Sequence, residues 1–228
     1  MAGIDVSVVS VFPDEQGAHG NPLGIVTNRI ATAGREQELA ALLGFSETVF
    51  VDSVEGGRAT IRIFTPAAEL PFAGHPTVGT AWWLSWRGTP VQALDAPAGT
   101  VTVRTEGDLV HVTARPEWAP EFAWHPYATV AEVDELDPTW FDTGSHYAYA
   151  WVDEDAGVVR SRMFSPELGV PEDEATGAAA VRLTALLGRD LEIRQGEGSR
   201  LFTRLLPDGS VELGGRTVVN ESRVITLP

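Results

Sequence analysis

Cysteine is absent from the 228-residue chain, which excludes disulfides, thiolate nucleophiles, paired-thiol racemase chemistry and Cys-based zinc or iron–sulfur centres. Positive charge is scarce. Sixteen basic against 32 acidic residues leave a net charge of −16, which opposes attraction to nucleic-acid backbones and anionic membrane surfaces. A carboxylate ligand is repelled at long range as well, so local N–H groups have to hold it. No run approaches the roughly 18 consecutive apolar residues of a membrane-spanning helix. The segment Ile4-Asp5-Val6-Ser7-Val8-Val9-Ser10-Val11-Phe12 alternates like a strand and lacks the basic start and apolar centre of a signal peptide. A soluble, cytoplasmic protein without nucleic-acid or membrane partners is the expectation. The five histidines, His19, His75, His111, His125 and His146, show no ligand-type spacing, so no metal is expected, and His111 and His125 are read as exposed.

What the chain does have is a near-repeat about a hundred residues apart. Ile63-Phe64-Thr65-Pro66 is followed by Ala73-Gly74-His75-Pro76-Thr77 and an apolar run from Gly79 to Trp86. Met163-Phe164-Ser165-Pro166 is followed by Glu172-Asp173-Glu174-Ala175-Thr176 and an apolar run from Gly177 to Leu187. Each copy reads as a strand, a polar loop and a helix almost too apolar to face water on any side. Two related halves around a pseudo-twofold axis would bring equivalent helix N-termini to one cleft, where orphan N–H groups favour a carboxylate.

Hydrophobic content of 43% against 21% charged residues is that of a globular chain. Residues 35–43 carry helix formers and end at Gly44, and a hairpin is predicted around Glu55-Gly56-Gly57. Trp82, Trp83 and Trp86 recur at helical spacing and are read as core. A second hairpin is expected within residues 99–114, and β-rich runs follow the second apolar helix through the tail at residues 217–226. Prolines 116, 120 and 126 interrupt this regularity. The boundary is therefore placed to give an N-terminal lobe 1–115 and a C-terminal lobe 116–228, whose last strand is free to pack back on the first lobe. The fold class is α+β: two pseudo-symmetric lobes, each a curved sheet or barrel around a central apolar helix.

Three polar side chains adjoin the most regular apolar elements. Glu47, beside Phe45 and Phe50, suits a carboxyl whose proton affinity is raised by desolvation, able to accept and return a proton near neutral pH. His75 is suited to donating to a substrate or trading protons, and Asp173 to orienting an amine or hydroxyl. Each also has a structural reading: a surface glutamate after a helix stop, a loop histidine, and an acidic residue favouring a helix N-terminus.

The motifs Val11-Phe12 with Gly20-Asn21-Pro22-Leu23, Ser46-Glu47-Thr48-Val49-Phe50, Arg62 to Pro66 with Gly74-His75-Pro76-Thr77, and Glu172-Asp173 with Ala175-Thr176-Gly177 come in order over most of the chain. In these the chain resembles the PhzF-like family of phenazine biosynthesis, relatives of diaminopimelate epimerase. The resemblance implies a diaminopimelate epimerase-like fold with the site between its lobes, usually a homodimer, and no cofactor. It implies isomerisation of a substrate such as trans-2,3-dihydro-3-hydroxyanthranilate, with Glu47 moving a proton and His75 and Asp173 beside it. Gly74, Asn21, Thr176, Gly177 and Ala178 are implied as substrate contacts. Ala178 stands where serine is common in the family. Alternatives are a small-molecule-binding protein that has lost catalysis, or a one-base epimerase.

Overall fold

The computed structural model describes residues 3–27 and 29–227. In chain order the elements are β1 (Ile4–Val11), β2 (Asn21–Val26), α1 (Arg29–Thr32), α2 (Glu36–Leu43), β3 (Glu47–Glu55), β4 (Arg58–Phe64), β5 (Glu69–Leu70), α3 (Gly74–Trp86), β6 (Ala93–Ala96), β7 (Gly99–Glu106) and β8 (Leu109–Ala114). They continue with β9 (Ala123–Pro126), α4 (Val130–Asp134), β10 (His146–Asp153), β11 (Val158–Ser165), β12 (Val170–Asp173), α5 (Gly177–Leu187), β13 (Leu191–Gln195), β14 (Ser199–Leu205), β15 (Val211–Gly215) and β16 (Thr217–Ile225).

Two series of strands run through the same pairing pattern. β2 is parallel to β3, β3 antiparallel to β4, β4 parallel to β6, and β6, β7 and β8 follow as antiparallel neighbours. β9 is parallel to β10, β10 antiparallel to β11, β11 parallel to β13, and β13, β14 and β15 follow antiparallel. Even the irregularities correspond: the register slips between Val51 and Ser53 in the first series and between Trp151 and Asp153 in the second. Short strands β5 and β12 flank β4 and β11. The series join where β8 pairs with β15, and β16 returns to pair with β1.

The sequence explains the shape of each half. A helix with no polar face has to be covered on all sides. In α3, every residue from Gly74 to Ala81 is buried, as are Trp83 and Leu84; in α5 the run from Gly177 to Val181 is buried with Leu183 and Thr184. One apolar core takes side chains from both series, with Val49, Ile61 and Val78 in the same cluster as Ala179, Ile193 and Leu213. Full burial of each large member contributes roughly 1.5–3 kcal/mol. A second cluster lies between β1, β3 and α2, and a third beneath α4.

The tryptophan reading needs correction at one position. Trp83 is buried, but Trp86 is 56% exposed and stacks on Trp82 with ring centroids 6.3 Å apart. Trp86 is the last residue of α3, so helical spacing continues where the burial has ended. Among the described residues, no helix is long and apolar enough to cross a membrane.

Candidate active site

The two apolar helices begin back to back. A Cβ on Gly74 would lie 2.5 Å from the carbonyl carbon of Gly177, and one on Gly177 would lie 2.8 Å from the Cα of Gly74, so only glycine admits this approach. Neither N-cap side chain, Ala73 or Thr176, bonds to its own helix. The first turns of α3 and α5 therefore bring two positive helix ends to one place.

Beside this junction is a cavity of about 340 Å³. Its wall is mostly apolar, with Phe72, Trp118, Phe122 and Met163 prominent, and its polar lining includes Glu47, Asp173, Thr176 and the hydroxyls of Ser46, Thr65, Ser145 and Ser165. Thr65 and Ser165 are the central residues of the two Phe-Thr/Ser-Pro repeats, so equivalent residues line one cavity from both halves. No cation is among the lining residues, and the chain contains no lysine at all. Charge stabilisation inside must come from N–H dipoles.

Glu47 opens β3, and its side chain is 16% exposed. Its Oε2 lies 3.6 Å from Nε2 of His75, which is 3% exposed in the first turn of α3. Both atoms are buried without a hydrogen-bond partner. Burial pushes the Glu47 carboxyl up to about 8, with the negative Asp173 nearby adding to the effect and the Ser46 hydroxyl opposing it. Burial alone pulls His75 down to about 3, so its ring is neutral at physiological pH. The desolvation has a different source from the one the sequence suggested. Side chains alternate along β3, and Phe50 faces the second cluster with Phe45 packed against it, whereas Val49 faces the main core. The cavity wall and the core side of the sheet isolate Glu47.

Asp173 closes β12 and is tied on both oxygens. Asn21 Nδ2 donates to Oδ1 at 2.7 Å and Thr176 Oγ1 donates to Oδ2 at 2.6 Å. Asn21 also donates to the Ala175 carbonyl and accepts from the Ser46 hydroxyl. Burial raises the Asp173 carboxyl to about 6, while the Thr176 and Asn21 hydrogen bonds restrain the rise and the charges of Glu174 and Glu172 add to it. Two buried carboxyls that interact titrate as a pair, with Glu47 the less solvated by hydrogen bonds.

The structure thus places Glu47, Asp173, Thr176 and Ala178 on the cavity wall, with His75 against Glu47 and Asn21 behind Asp173. Gly74 and Gly177 form the junction beneath. Sequence reasoning missed Gln195, which reads the Asp173 loop from below: its Nε2 donates to the Asp173 carbonyl and Thr176 Oγ1, and its Oε1 accepts from Thr176 N and the Tyr147 hydroxyl. It also missed the aromatic wall from residues 116–122. His111 and His125 are not exposed as expected: both are partly buried, and His125 Nε2 lies 3.0 Å from His146 Nδ1.

This fold is that of a known group of proteins. The sequence model of the PhzC-PhzF family, described as phenazine biosynthesis-like protein, matches residues 9–127 and 128–213, and the chain belongs to that family. It is 30% identical over 228 residues to trans-2,3-dihydro-3-hydroxyanthranilate isomerase of Pseudomonas aeruginosa, covering 83% of this chain and 82% of that one. It is 31% identical over 217 residues to the protein of that name from Pseudomonas chlororaphis, covering 78% of each. Among solved structures, a PhzF-family phenazine biosynthesis protein of Bacillus anthracis superposes with a TM-score of 0.79 at 20% identity over the whole of both chains. A hydroxyproline epimerase of Agrobacterium vitis, with bound trans-4-hydroxy-L-proline, superposes with a TM-score of 0.64 at 11% identity over 99% of this chain and 93% of that one. The fold is the two-lobed α+β fold of the PhzF proteins and these epimerases, and the protein is an isomerase of PhzF type.

Proposed function

We propose that the protein shifts a proton, and with it a double bond, in a small cyclic carboxylate similar to trans-2,3-dihydro-3-hydroxyanthranilate, with Glu47 as the single acid–base group and no cofactor. The observation that carries this reading is the asymmetry of an otherwise repeated site. Thr48 pairs with Phe64 in the first half and His146 pairs with Phe164 in the second, so the register makes Ser145 the counterpart of Glu47. A serine hydroxyl there cannot serve as a carboxylate base. Asp173, the other acid of the cavity, accepts hydrogen bonds on both oxygens, whereas Glu47 Oε2 is unpartnered.

Inversion of a stereocentre needs a proton removed from one face and delivered to the other, whereas a 1,3-shift needs one group that takes and returns it on the same face. One free carboxyl suits the second. The ionised Glu47 removes a proton from a carbon made acidic by an adjacent π-system, the electron pair moves into the neighbouring bond, and the carboxylic acid so formed returns the proton two carbons away. The first-turn N–H groups of α3 and α5 hold the substrate carboxylate and the charge that develops, in a cavity without cations. Asp173 orients a ring heteroatom, and neutral His75 packs against Glu47 without competing for the charge. A homodimer in the cytoplasm is the accompanying expectation, read by sedimentation of the purified protein and by fractionation of cells.

The test is ring-proton NMR in heavy water with trans-2,3-dihydro-3-hydroxyanthranilate. Loss of starting signal with deuterium entering a ring carbon, absent in Glu47→Gln, is the expected result. Full turnover by Glu47→Gln would remove Glu47 from the mechanism. Ligand binding without exchange would favour the alternative of a binding protein on this scaffold.

A further inference from the structure

The loop that carries Asp173 is gripped at every residue, and one grip has no part in the reaction above. The Glu174 side chain turns away from the cavity into a ring of donors on the β13–β14 turn. Its Oε2 accepts from Glu197 N at 2.8 Å, and its Oε1 accepts from Gly198 N at 3.2 Å, Ser199 N at 3.2 Å and Ser199 Oγ at 2.8 Å. Successive backbone N–H groups that converge in this way form an anion nest, here filled by the protein's own carboxylate. Gly196, at φ +62°, is required for the wrap, since a Cβ there would lie 2.0 Å from Glu174 Oε2. Ser199 Oγ also accepts from Gly20 N at 3.1 Å, immediately before Asn21, the residue that holds Asp173.

We propose that Glu174 is a positioning residue: by filling the 197–199 nest it locks the Asp173–Thr176 segment, and the start of α5, to the Gly20–Asn21 loop of the other half. The geometry closes a loop of contacts. From Asp173 it runs through Asn21 and Gly20 to Ser199, from Ser199 to Glu174, and along one peptide back to Asp173. Displacement of Glu174 opens that circuit at its midpoint, while Asn21 still holds the Asp173 carboxylate and the Ala175 carbonyl, and Gln195 still holds Asp173 and Thr176. A carboxylate is needed there, because all four contacts are donors to it. In glutamine one oxygen becomes an NH₂ group that faces a donor, so at least one contact turns repulsive. The consequence for chemistry is geometric. Misplacement of a substrate-orienting group by about 1 Å costs on the order of a hundredfold in rate.

The inference rests on the assignment of Asp173 and the α5 start to the substrate site, and its test has two arms. In the first, amide hydrogen exchange compares wild type with Glu174→Gln and with the milder Ser199→Ala. Faster exchange at residues 176–178 and 197–199, with β4 and β11 protection unchanged, supports the lock. Unchanged protection at 176–178 overturns it. In the second, turnover of trans-2,3-dihydro-3-hydroxyanthranilate is expected to fall about tenfold to a hundredfold in kcat for Glu174→Gln, and less for Ser199→Ala, with KM changing by less than about threefold. A kcat within twofold of wild type in both variants overturns the positioning role. If wild type itself leaves this substrate untouched, the substrate reading fails and the exchange arm still decides the lock.

Discussion

Glu47→Gln should make the protein more resistant to alkaline pH. The side chain is isosteric, so packing is conserved and the change removes only the ability to ionise. In the folded state the Glu47 carboxyl is raised from an ordinary 4.5 to about 8. Below pH 4.5 the group is protonated in folded and unfolded chains alike, and its neutral form is the one the cavity accepts. Between pH 4.5 and 8 the unfolded chain releases this proton while the folded chain keeps it, so unfolding stability falls as pH rises, and above pH 8 the loss is complete. A shift of that size at about 1.4 kcal/mol per unit sets a ceiling of about 5 kcal/mol on the loss. Urea unfolding of both proteins at pH 4, 6 and 9 measures it. The wild-type curve should drop relative to the variant across that interval, and the divergence should exceed about 1.4 kcal/mol, one unit's worth. Parallel curves would refute the claim that burial, rather than the binding of substrate, tunes this carboxyl.

Two further outcomes follow from the same geometry. If ionised Glu47 is the base in the free enzyme, kcat/KM should rise with pH up to about pH 8 and level off above it, with no limb from His75, which stays neutral throughout; a flat profile from pH 6 to 9 contradicts this. Gly74→Ala places a methyl 2.5 Å from the Gly177 backbone and 2.7 Å from Leu213 Cδ2. The helix starts must separate, at a cost of about 1–3 kcal/mol and a fall of roughly 2–10 °C in the thermal midpoint, which an unchanged calorimetric trace would disprove.

The features legible in the sequence are those carried by local pattern. The Phe-Thr/Ser-Pro repeats fixed the strand ends at Phe64 and Ser165, and the absence of any polar face on residues 177–187 announced a wrapped helix. Glu47, His75 and Asp173 stood out because each borders such an element. Long-range features were hidden. Trp118 and Phe122 lie in a proline-broken stretch with no period, and only tertiary packing puts them on the cavity wall. Gln195 ends an ordinary strand, and nothing within ten residues of it signals a grip on a loop at residues 173–176. Strand alternation would have revealed that Phe50 and Glu47 point to opposite faces, because their spacing is odd. The exposure of Trp86 at the end of α3 depends on how far the surrounding cover extends, a quantity no single helix records.

The return of β16 to β1 bears on how the chain is made. β1 leaves the ribosome long before β16, yet its outer edge stays open until residues 217–225 arrive to pair with Ile4–Val11. An early half with an unpaired strand of Val, Ser and Ile residues is sticky toward its neighbours on a polysome. Completion of the first half must therefore wait for residues 217–225. A nascent chain stalled before β16 should expose β1 to proteolysis or to chaperones, although the whole cavity lining, from Ser46 to Ala178, has already been translated.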